Sequence, residues 1–219
     1  TIDYKLPAIR YVAGLSLGEY SALVAAEALK FEDALKLVRK RAELMQEAAK
    51  RNPGKMSAII GLNKDEVKNI CSDIDRVDIA NLNCPGQVVI SGAPDAVDKV
   101  KEGVLKIGAK KVIDLEVNGA FHSSLMSEAA GEFKKVLEEV DFQDPGIPIV
   151  SNVDAQPQYD KSKIKENLEK QICSSVLWED SMRFIISKGI NRFYEIGPGK
   201  VLKGLMQRID KNVQVINIE

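Results

Sequence analysis

The 219 residues are about one and a half times the length of a typical domain, which predicts one large domain carrying a smaller one. Thirty-one Lys and Arg against 32 Asp and Glu leave a formal net charge of −1, which excludes the broad positive surface of a general nucleic-acid-binding protein. Hydrophobic residues make up 45% of the chain, which excludes disorder by composition, yet no apolar run approaches the ~20 residues of a membrane-spanning helix.

The first predicted unit is a strand, a sharp turn and a helix. An apolar strand over residues 8–13 leads into the turn at residues 14–18, after which the apolar spacing becomes helical. A second helix is predicted over residues 31–50, because apolar residues recur at helical spacing until an Asn-Pro-Gly stop. Arg41 falls inside that apolar stripe, which predicts a side chain that points inward.

The pattern then changes to β-α-β-β-α-β. Strands are predicted over residues 56–62, 76–83, 87–92 and 110–117, and helices over residues 64–71 and 93–108. This order, within about 60 residues, is typical of a ferredoxin-like unit. We therefore predict an inserted ferredoxin-like subdomain over residues 55–118, within a core made of residues 1–54 and 119–219.

The remainder of the chain returns to mixed α/β character. Helices are predicted over residues 124–140, 163–172, 181–189 and 200–209, and strands over residues 147–153, 191–196 and 213–218. The predicted fold class of the whole chain is therefore α/β.

Cysteine usage indicates the cellular compartment. The three cysteines, Cys71, Cys84 and Cys173, are odd in number and widely spaced, and they form no Cys-x-x-Cys pair or Cys/His cluster. This pattern favours a reduced, cytoplasmic protein and predicts no metal site.

The sequence GLSLG at residues 14–18 matches the GxSxG pattern of a nucleophile elbow. Glycines on both sides of Ser16 permit the strained turn that lifts a serine hydroxyl above a sheet edge. The backbone N–H of Leu17, at the start of the following helix, would face an oxyanion forming on an acyl group held by Ser16. The alternative is an ordinary strand-to-helix turn, since matches of five residues also occur by chance.

His122 is the only histidine in the chain, so any mechanism that uses a histidine must use this one. A serine hydroxyl is a poor nucleophile unless a neighbouring base takes its proton, and that base is usually histidine. His122 lies between the predicted subdomain and a helix, in a loop position suited to a site, although a surface or capping histidine is the alternative. None of the 32 acidic residues stands out as a third triad member, so the group that orients the histidine stays open.

Arg41 is the remaining candidate. An arginine on an apolar helix face must be paired or reach water, and its planar guanidinium suits a carboxylate. If the guanidinium points at the elbow, the acyl group is itself acidic. If the stem instead runs to the surface with its head in water, Arg41 has no part in the site.

These motifs together resemble the malonyl-CoA:acyl carrier protein transacylases of fatty acid synthesis and the related acyltransferase domains of polyketide synthases. The resemblance spans nearly the whole chain, through GLSLGEYSALVAA, LVRKRAELMQEAA, NLNCPGQVVISG, GAFHSSLM, IPIVSNVDAQP, QICSSVLW and YEIGPGKVLKGL. It implies an α/β-hydrolase-like core with a ferredoxin-like subdomain, in agreement with the pattern of predicted elements.

The resemblance also assigns catalytic roles. Ser16 would be the acylated nucleophile and His122 its base. Leu17 would supply one oxyanion N–H. Gln171 would orient the histidine through its main-chain carbonyl, which would account for the missing triad acid.

Two further residues would contact the substrate. Arg41 would pair with the malonyl carboxylate, and Phe121 would narrow the space beside the acyl α-carbon. The chain departs from the family at Leu15, where the family elbow usually has histidine, and we expect altered packing there with retained chemistry. Family members carry, before the elbow, a GQG motif whose glutamine N–H completes the oxyanion hole, and no such motif occurs in these residues. We expect one of three explanations: the chain is a fragment, another polypeptide supplies that segment, or activity is impaired.

The activity implied by the resemblance is transfer of malonyl from malonyl-CoA to the phosphopantetheine thiol of acyl carrier protein through a malonyl-serine intermediate. No cofactor is expected, because a thioester is already activated. The expected partners are malonyl-CoA and acyl carrier protein, with no nucleic acid and no membrane, and the expected state is a monomer. The alternatives are a serine thioesterase or esterase on the same elbow, or an impaired fragment that only binds carrier protein.

Overall fold

The computed structural model describes residues 8–117 and 119–219. Its helices are α1 (Gly18–Ala25), α2 (Phe31–Arg51), α3 (Lys64–Ser72), α4 (Pro94–Lys106), α5 (Ser127–Glu138), α6 (Lys161–Gln171), α7 (Trp178–Ser187) and α8 (Val201–Ile209). Its strands are β1 (Lys55–Ile60), β2 (Val77–Cys84), β3 (Gln87–Gly92), β4 (Lys111–Asp114), β5 (Ile149–Val150), β6 (Pro157–Gln158), β7 (Arg192–Ile196) and β8 (Gln214–Ile218). The predicted mixed α/β class is confirmed, while the predicted boundaries at residues 1 and 118 lie outside the described residues.

Strands β1 to β4 form one antiparallel sheet in the order β2-β3-β1-β4. Helix α3 begins with a capping box in which Asn63 and Glu66 each accept a backbone N–H of the other, and α4 begins with Pro94 in its first turn. Apolar side chains of both helices pack on the sheet face that carries Ile59 and Ile90. The opposite face packs against the loop that carries Phe121, so the sheet supports the region of His122.

Helices α1, α2, α5 and α6 share a second core. Helix α2 buries one stripe of its surface, which consists of Ala34, Leu37, Arg41, Met45, Ala48 and Ala49. Arg41 is therefore the one charged residue on the buried face of α2, and only 7% of its surface is exposed. The inward direction that the stripe predicts for Arg41 is the direction observed.

The strand predicted over residues 8–13 is wrong, because only Val12 pairs there, in a single parallel bridge to Ile149. Toward the N-terminus the pairing cannot continue, because Pro148 has no N–H to donate. Toward the C-terminus, the side chain of Asn152 donates to the Gly14 carbonyl at 2.8 Å. In a continued strand pair, a backbone N–H would donate to that carbonyl. A side chain thus ends the pairing at the point where the elbow begins.

The strand predicted over residues 147–153 is shorter for the same reason and consists of β5 alone. The helix predicted over residues 124–140 is a 3-10 turn at Ser124–Met126 followed by α5. Strands β7 and β8 pair in parallel, near the bounds that their patterns predict. No helix among the described residues is long and apolar enough to cross a bilayer.

Candidate active site

Ser16 lies at the centre of a strained turn between the Val12 bridge and α1. Its φ is +50°, in the left-handed region that L residues adopt only when the surroundings enforce it. A Cβ on Gly14 would lie 2.0 Å from the backbone of Gly18, so the turn requires a glycine at position 14. The Ser16 N–H donates to Asn152 Oδ1 at 2.6 Å, which ties the turn to the loop after β5. This geometry is that of a nucleophile elbow.

The Ser16 hydroxyl and His122 are in direct contact. Ser16 Oγ lies 2.8 Å from His122 Nε2, and His122 Nδ1 lies 2.7 Å from the main-chain carbonyl oxygen of Gln171. Since a carbonyl oxygen can only accept, Nδ1 carries the proton, and Nε2 of the neutral ring accepts from the serine. The structure therefore joins Ser16, His122 and the Gln171 carbonyl in one hydrogen-bonded line, without a carboxylate behind the histidine.

The protonation state of His122 suits a general base. The side chain is 5% exposed, and its burial, together with the nearby positive charge of Arg41, lowers the pKa of the ring to about 4. Hydrogen bonds between the ring and the backbone of Gln171 and Ser174 oppose this shift but do not cancel it. The ring is therefore neutral at physiological pH and free to take the serine proton.

Arg41 reaches the serine from α2. Its Nη2 donates to Ser16 Oγ at 3.0 Å and to Gln171 Oε1 at 3.2 Å, while its guanidinium carbon lies 5.8 Å from the centre of the Tyr20 ring. Burial lowers the pKa of the guanidinium. Its Nε is buried and has no hydrogen-bond partner among the described residues. A buried cation with an unused donor beside the Ser16 hydroxyl can bind an anionic group.

Leu17 presents its backbone beside the serine. Its side chain is 52% exposed, and its N–H has no acceptor within residues 8–117 and 119–219. That N–H stands immediately before α1, where the unsatisfied donors and the helix dipole both favour a negative charge. The neighbouring Leu15, at the position where the family elbow usually has histidine, packs instead against the core that contains Trp178 and Met182.

Phe121 precedes the histidine in a turn of the chain. Its ring packs against two of the hydrophobic cores. A Cβ added to Gly119 would lie only 2.6 Å from an atom of this ring. Gly54 and Ala120 are in similarly close contact, since a Cβ on Gly54 would lie 2.4 Å from Ala120. Small residues thus let the chain just before His122 approach α2 and the segment that follows α2 closely.

The structure adds two residues that sequence reasoning missed, Glu19 and Asn152. Glu19 is 4% exposed and accepts from Gln171 Nε2 at 2.7 Å and from the Asn152 N–H at 3.2 Å. One signal could have found it, since Glu19 shares the helical spacing of the buried residues Ala22, Leu23 and Ala26. Nothing local marks Asn152, because all its partners at the site are distant in sequence.

The acyl transferase domain family matches residues 7–217. This chain belongs to that family. Among curated relatives, the malonyl CoA-acyl carrier protein transacylase of Staphylococcus aureus (strain COL) is 44% identical over 95% of this chain and 69% of its own length. The protein of the same name from Bacillus subtilis (strain 168) is 45% identical over 95% of this chain and 67% of its own length.

Solved structures of the acyl transferase family agree with the fold. An acyl carrier protein S-malonyltransferase from Vibrio cholerae has a TM-score of 0.95 and 40% identity, covering 98% of this chain and 71% of that one. A malonyl-transacylase solved in complex with a type II polyketide synthase acyl-carrier protein has a TM-score of 0.94 and 38% identity, covering 97% of this chain and 70% of that one. The four elements that carry Ser16, Arg41, His122 and Gln171 all lie within the matched range.

Proposed function

We propose that this acyltransferase moves a malonyl group from malonyl-CoA to the phosphopantetheine thiol of acyl carrier protein, as a step of fatty acid biosynthesis. The observation that carries the proposal is a buried arginine in contact with an activated serine. A serine and histidine alone would serve many acyl substrates, whereas Arg41 at 3.0 Å from Ser16 Oγ adds a preference for an acyl group with a carboxylate.

The first half-reaction loads the serine. His122 Nε2 takes the proton of Ser16 as Oγ attacks the malonyl thioester carbonyl, and the Leu17 N–H donates to the resulting oxyanion. The Gln171 carbonyl accepts from Nδ1 and stabilises the imidazolium. When the tetrahedral intermediate collapses, the carbon–sulfur bond breaks and the CoA sulfur receives the proton from His122.

The second half-reaction reverses these steps on a new thiol. The phosphopantetheine thiol of acyl carrier protein gives its proton to His122 and attacks the malonyl ester. The ester bond to Ser16 then breaks, and Oγ takes the proton back. Neither half needs a metal or redox cofactor, because the thioester is already activated for acyl transfer. We expect the chain to act as a monomer.

Substrate contacts follow from the charge and shape of malonyl. Its free carboxylate would displace the Ser16 hydroxyl from Arg41 Nη2 and satisfy the unused Nε, which gives a two-point, charge-assisted contact. Phe121 would lie beside the acyl α-carbon and limit branching there. This arrangement also disfavours the alternative of an esterase for plain lipid esters, which have no carboxylate for Arg41.

We also propose a division of the fold into a subdomain and a catalytic core. We assign residues 55–118 to a ferredoxin-like subdomain and residues 1–54 with 119–219 to an α/β-hydrolase-like catalytic core. Support comes from the β2-β3-β1-β4 antiparallel sheet, which has its own core beneath α3 and α4. The elbow, the arginine helix and the histidine loop would then meet at the boundary between core and subdomain.

Product analysis with malonyl-CoA and acyl carrier protein tests the function. We expect malonyl on the carrier thiol, with little free malonate when the carrier protein is present. Free malonate as the main product would identify a thioesterase. Absence of both products, from a protein that binds the carrier, would identify a chain that only docks it.

Replacing Arg41 by alanine should change which acyl group is used. The variant loses the carboxylate contact, so malonyl transfer should fall by roughly 10²-fold or more, while acetyl transfer should fall little or rise. Arg41→Lys should recover only part of the malonyl activity, because an ammonium lacks the planar fork. The measurement is the ratio of kcat/KM for malonyl-CoA to that for acetyl-CoA.

Arg39→Ala is the matched control for Arg41, since Arg39 lies on the same helix but is exposed and paired with Glu43. We expect the ratio for Arg39→Ala to equal that of the wild type. If both rates of Arg41→Ala fell together and the ratio stayed constant, Arg41 would be a structural residue with no part in substrate choice.

A further inference from the structure

Glu19 is a buried acid that the reaction described above does not use. It follows Ser16 by three residues and lies on α1, and its Oε2 accepts from Gln171 Nε2 and from the Asn152 N–H. Both partners then contact the reacting groups. Gln171 contacts Arg41 and His122, and Asn152 accepts the N–H of Ser16. Glu19 is thus one residue removed from Ser16, His122 and Arg41.

The orientation of the Gln171 amide follows from its surroundings. Nε2 lies 2.7 Å from the Glu19 carboxylate and 3.3 Å from the Ser16 carbonyl oxygen, both of which can only accept when Glu19 is ionised. The amide oxygen must therefore point the other way, toward Arg41 Nη2 at 3.2 Å. A rotated amide would place its NH₂ against a guanidinium, which has donors only.

We infer that Glu19 is a positioning residue for malonyl selection: its carboxylate fixes the Gln171 amide, and that amide holds Arg41 in place for the substrate carboxylate. This inference rests on the proposed function. No salt bridge joins Glu19 to Arg41 within the part of the chain that the structure describes, so the influence passes through Gln171.

The charge of Glu19 changes within the working pH range. Burial raises the pKa of its carboxyl to about 7, and the hydrogen bonds from Gln171 and Asn152 partly oppose that shift. The negative charge of Asp154 raises the pKa of Glu19 further, and the charge of Glu19 in turn raises the pKa values of Arg41 and Tyr20. Protonation of Glu19 adds a donor where Gln171 Nε2 needs an acceptor, so the amide loses its fixed orientation.

The isosteric variant Glu19→Gln tests the inference. A glutamine can present either oxygen or nitrogen to Gln171, so the amide is no longer constrained. We expect kcat/KM for malonyl-CoA to fall about tenfold through a higher KM, with kcat/KM for acetyl-CoA changed by less than about threefold. Glu27→Gln is the matched control, since Glu27 is an exposed acid just beyond α1, and it should leave both rates unchanged.

The pH dependence of substrate preference distinguishes a positioning role of Glu19 from a purely structural one. In the wild type, the malonyl to acetyl ratio of kcat/KM should fall as the pH is lowered through about 7, whereas in Glu19→Gln it should stay low at every pH. The ratio cancels the titration of His122 and of CoA, which both substrates share. Because the folded pKa of Glu19 lies above its ordinary value, ionisation costs stability as the pH rises, so Glu19→Gln should be at least as heat-stable as the wild type at pH values above about 7.

A double variant tests whether the influence of Glu19 passes through Gln171. Gln171→Leu keeps the main-chain carbonyl for His122 but removes the side-chain amide. Adding Glu19→Gln to Gln171→Leu should therefore not lower the malonyl to acetyl ratio of kcat/KM any further. An unchanged ratio in Glu19→Gln would overturn the inference, and a full additional loss in the Gln171→Leu background would overturn the route. A wild-type protein that does not transfer malonyl at all would instead overturn the proposed function.

Discussion

We expect Ser16→Ala to abolish formation of the malonyl-enzyme and to reduce transfer to background. The hydroxyl is the atom that would carry the acyl group, and no other hydroxyl or thiol among the described residues hydrogen-bonds to His122. Both residue types carry a Cβ at the +50° φ of position 16, so the strained turn should persist. Intact mass after incubation with malonyl-CoA, with circular dichroism as the folding check, measures the result.

Ser21→Ala serves as the control for this variant, since Ser21 is an exposed serine on α1. It should acquire malonyl like the wild type. A malonyl adduct on folded Ser16→Ala would show that another residue is the nucleophile.

We expect His122→Ala to slow acylation by about 10²–10⁴-fold, the usual effect of losing a general base. The 2.8 Å contact to Ser16 Oγ and the neutral ring both depend on this single histidine. Single-turnover acylation by malonyl-CoA is the measurement. An unchanged rate would remove His122 from the mechanism.

The pH profile gives a second signature of the same residue. The pKa of His122 is lowered to about 4, so the wild-type kcat should be flat near neutrality and fall only as the pH approaches about 4, where the ring becomes protonated. The alanine variant should lack this acid fall. A fall in wild-type kcat centred near the ordinary histidine pKa of about 6.5 would contradict the buried, neutral ring.

Local patterns predicted the parts of the fold that depend on local contacts. The β-α-β-β-α-β order was predictable because each element buries one face, so its apolar spacing is visible in sequence. The strand at residues 8–13 was not, because its length depends on Pro148 and on the Asn152 side chain, which lie about 135 residues away in the chain.

The candidate site likewise contains residues that local patterns predicted and residues that they did not. Ser16 was predictable from a motif, His122 from being the only histidine, and Arg41 from its place in an apolar stripe. The part played by Gln171 came only from the family resemblance, because a main-chain carbonyl leaves no residue-type signal. Glu19 was passed over because its partners, Gln171 and Asn152, are more than 130 residues distant.

The proposed mechanism requires that malonyl be carried on Ser16 between two thiols. The most direct measurement mixes the wild-type protein with labelled malonyl-CoA, removes free substrate, maps the labelled peptide, and then adds acyl carrier protein. We expect label on Ser16 alone, stable until the carrier is added and then moved to the carrier thiol. Label on another residue, or label that leaves as free malonate before the carrier arrives, would contradict it.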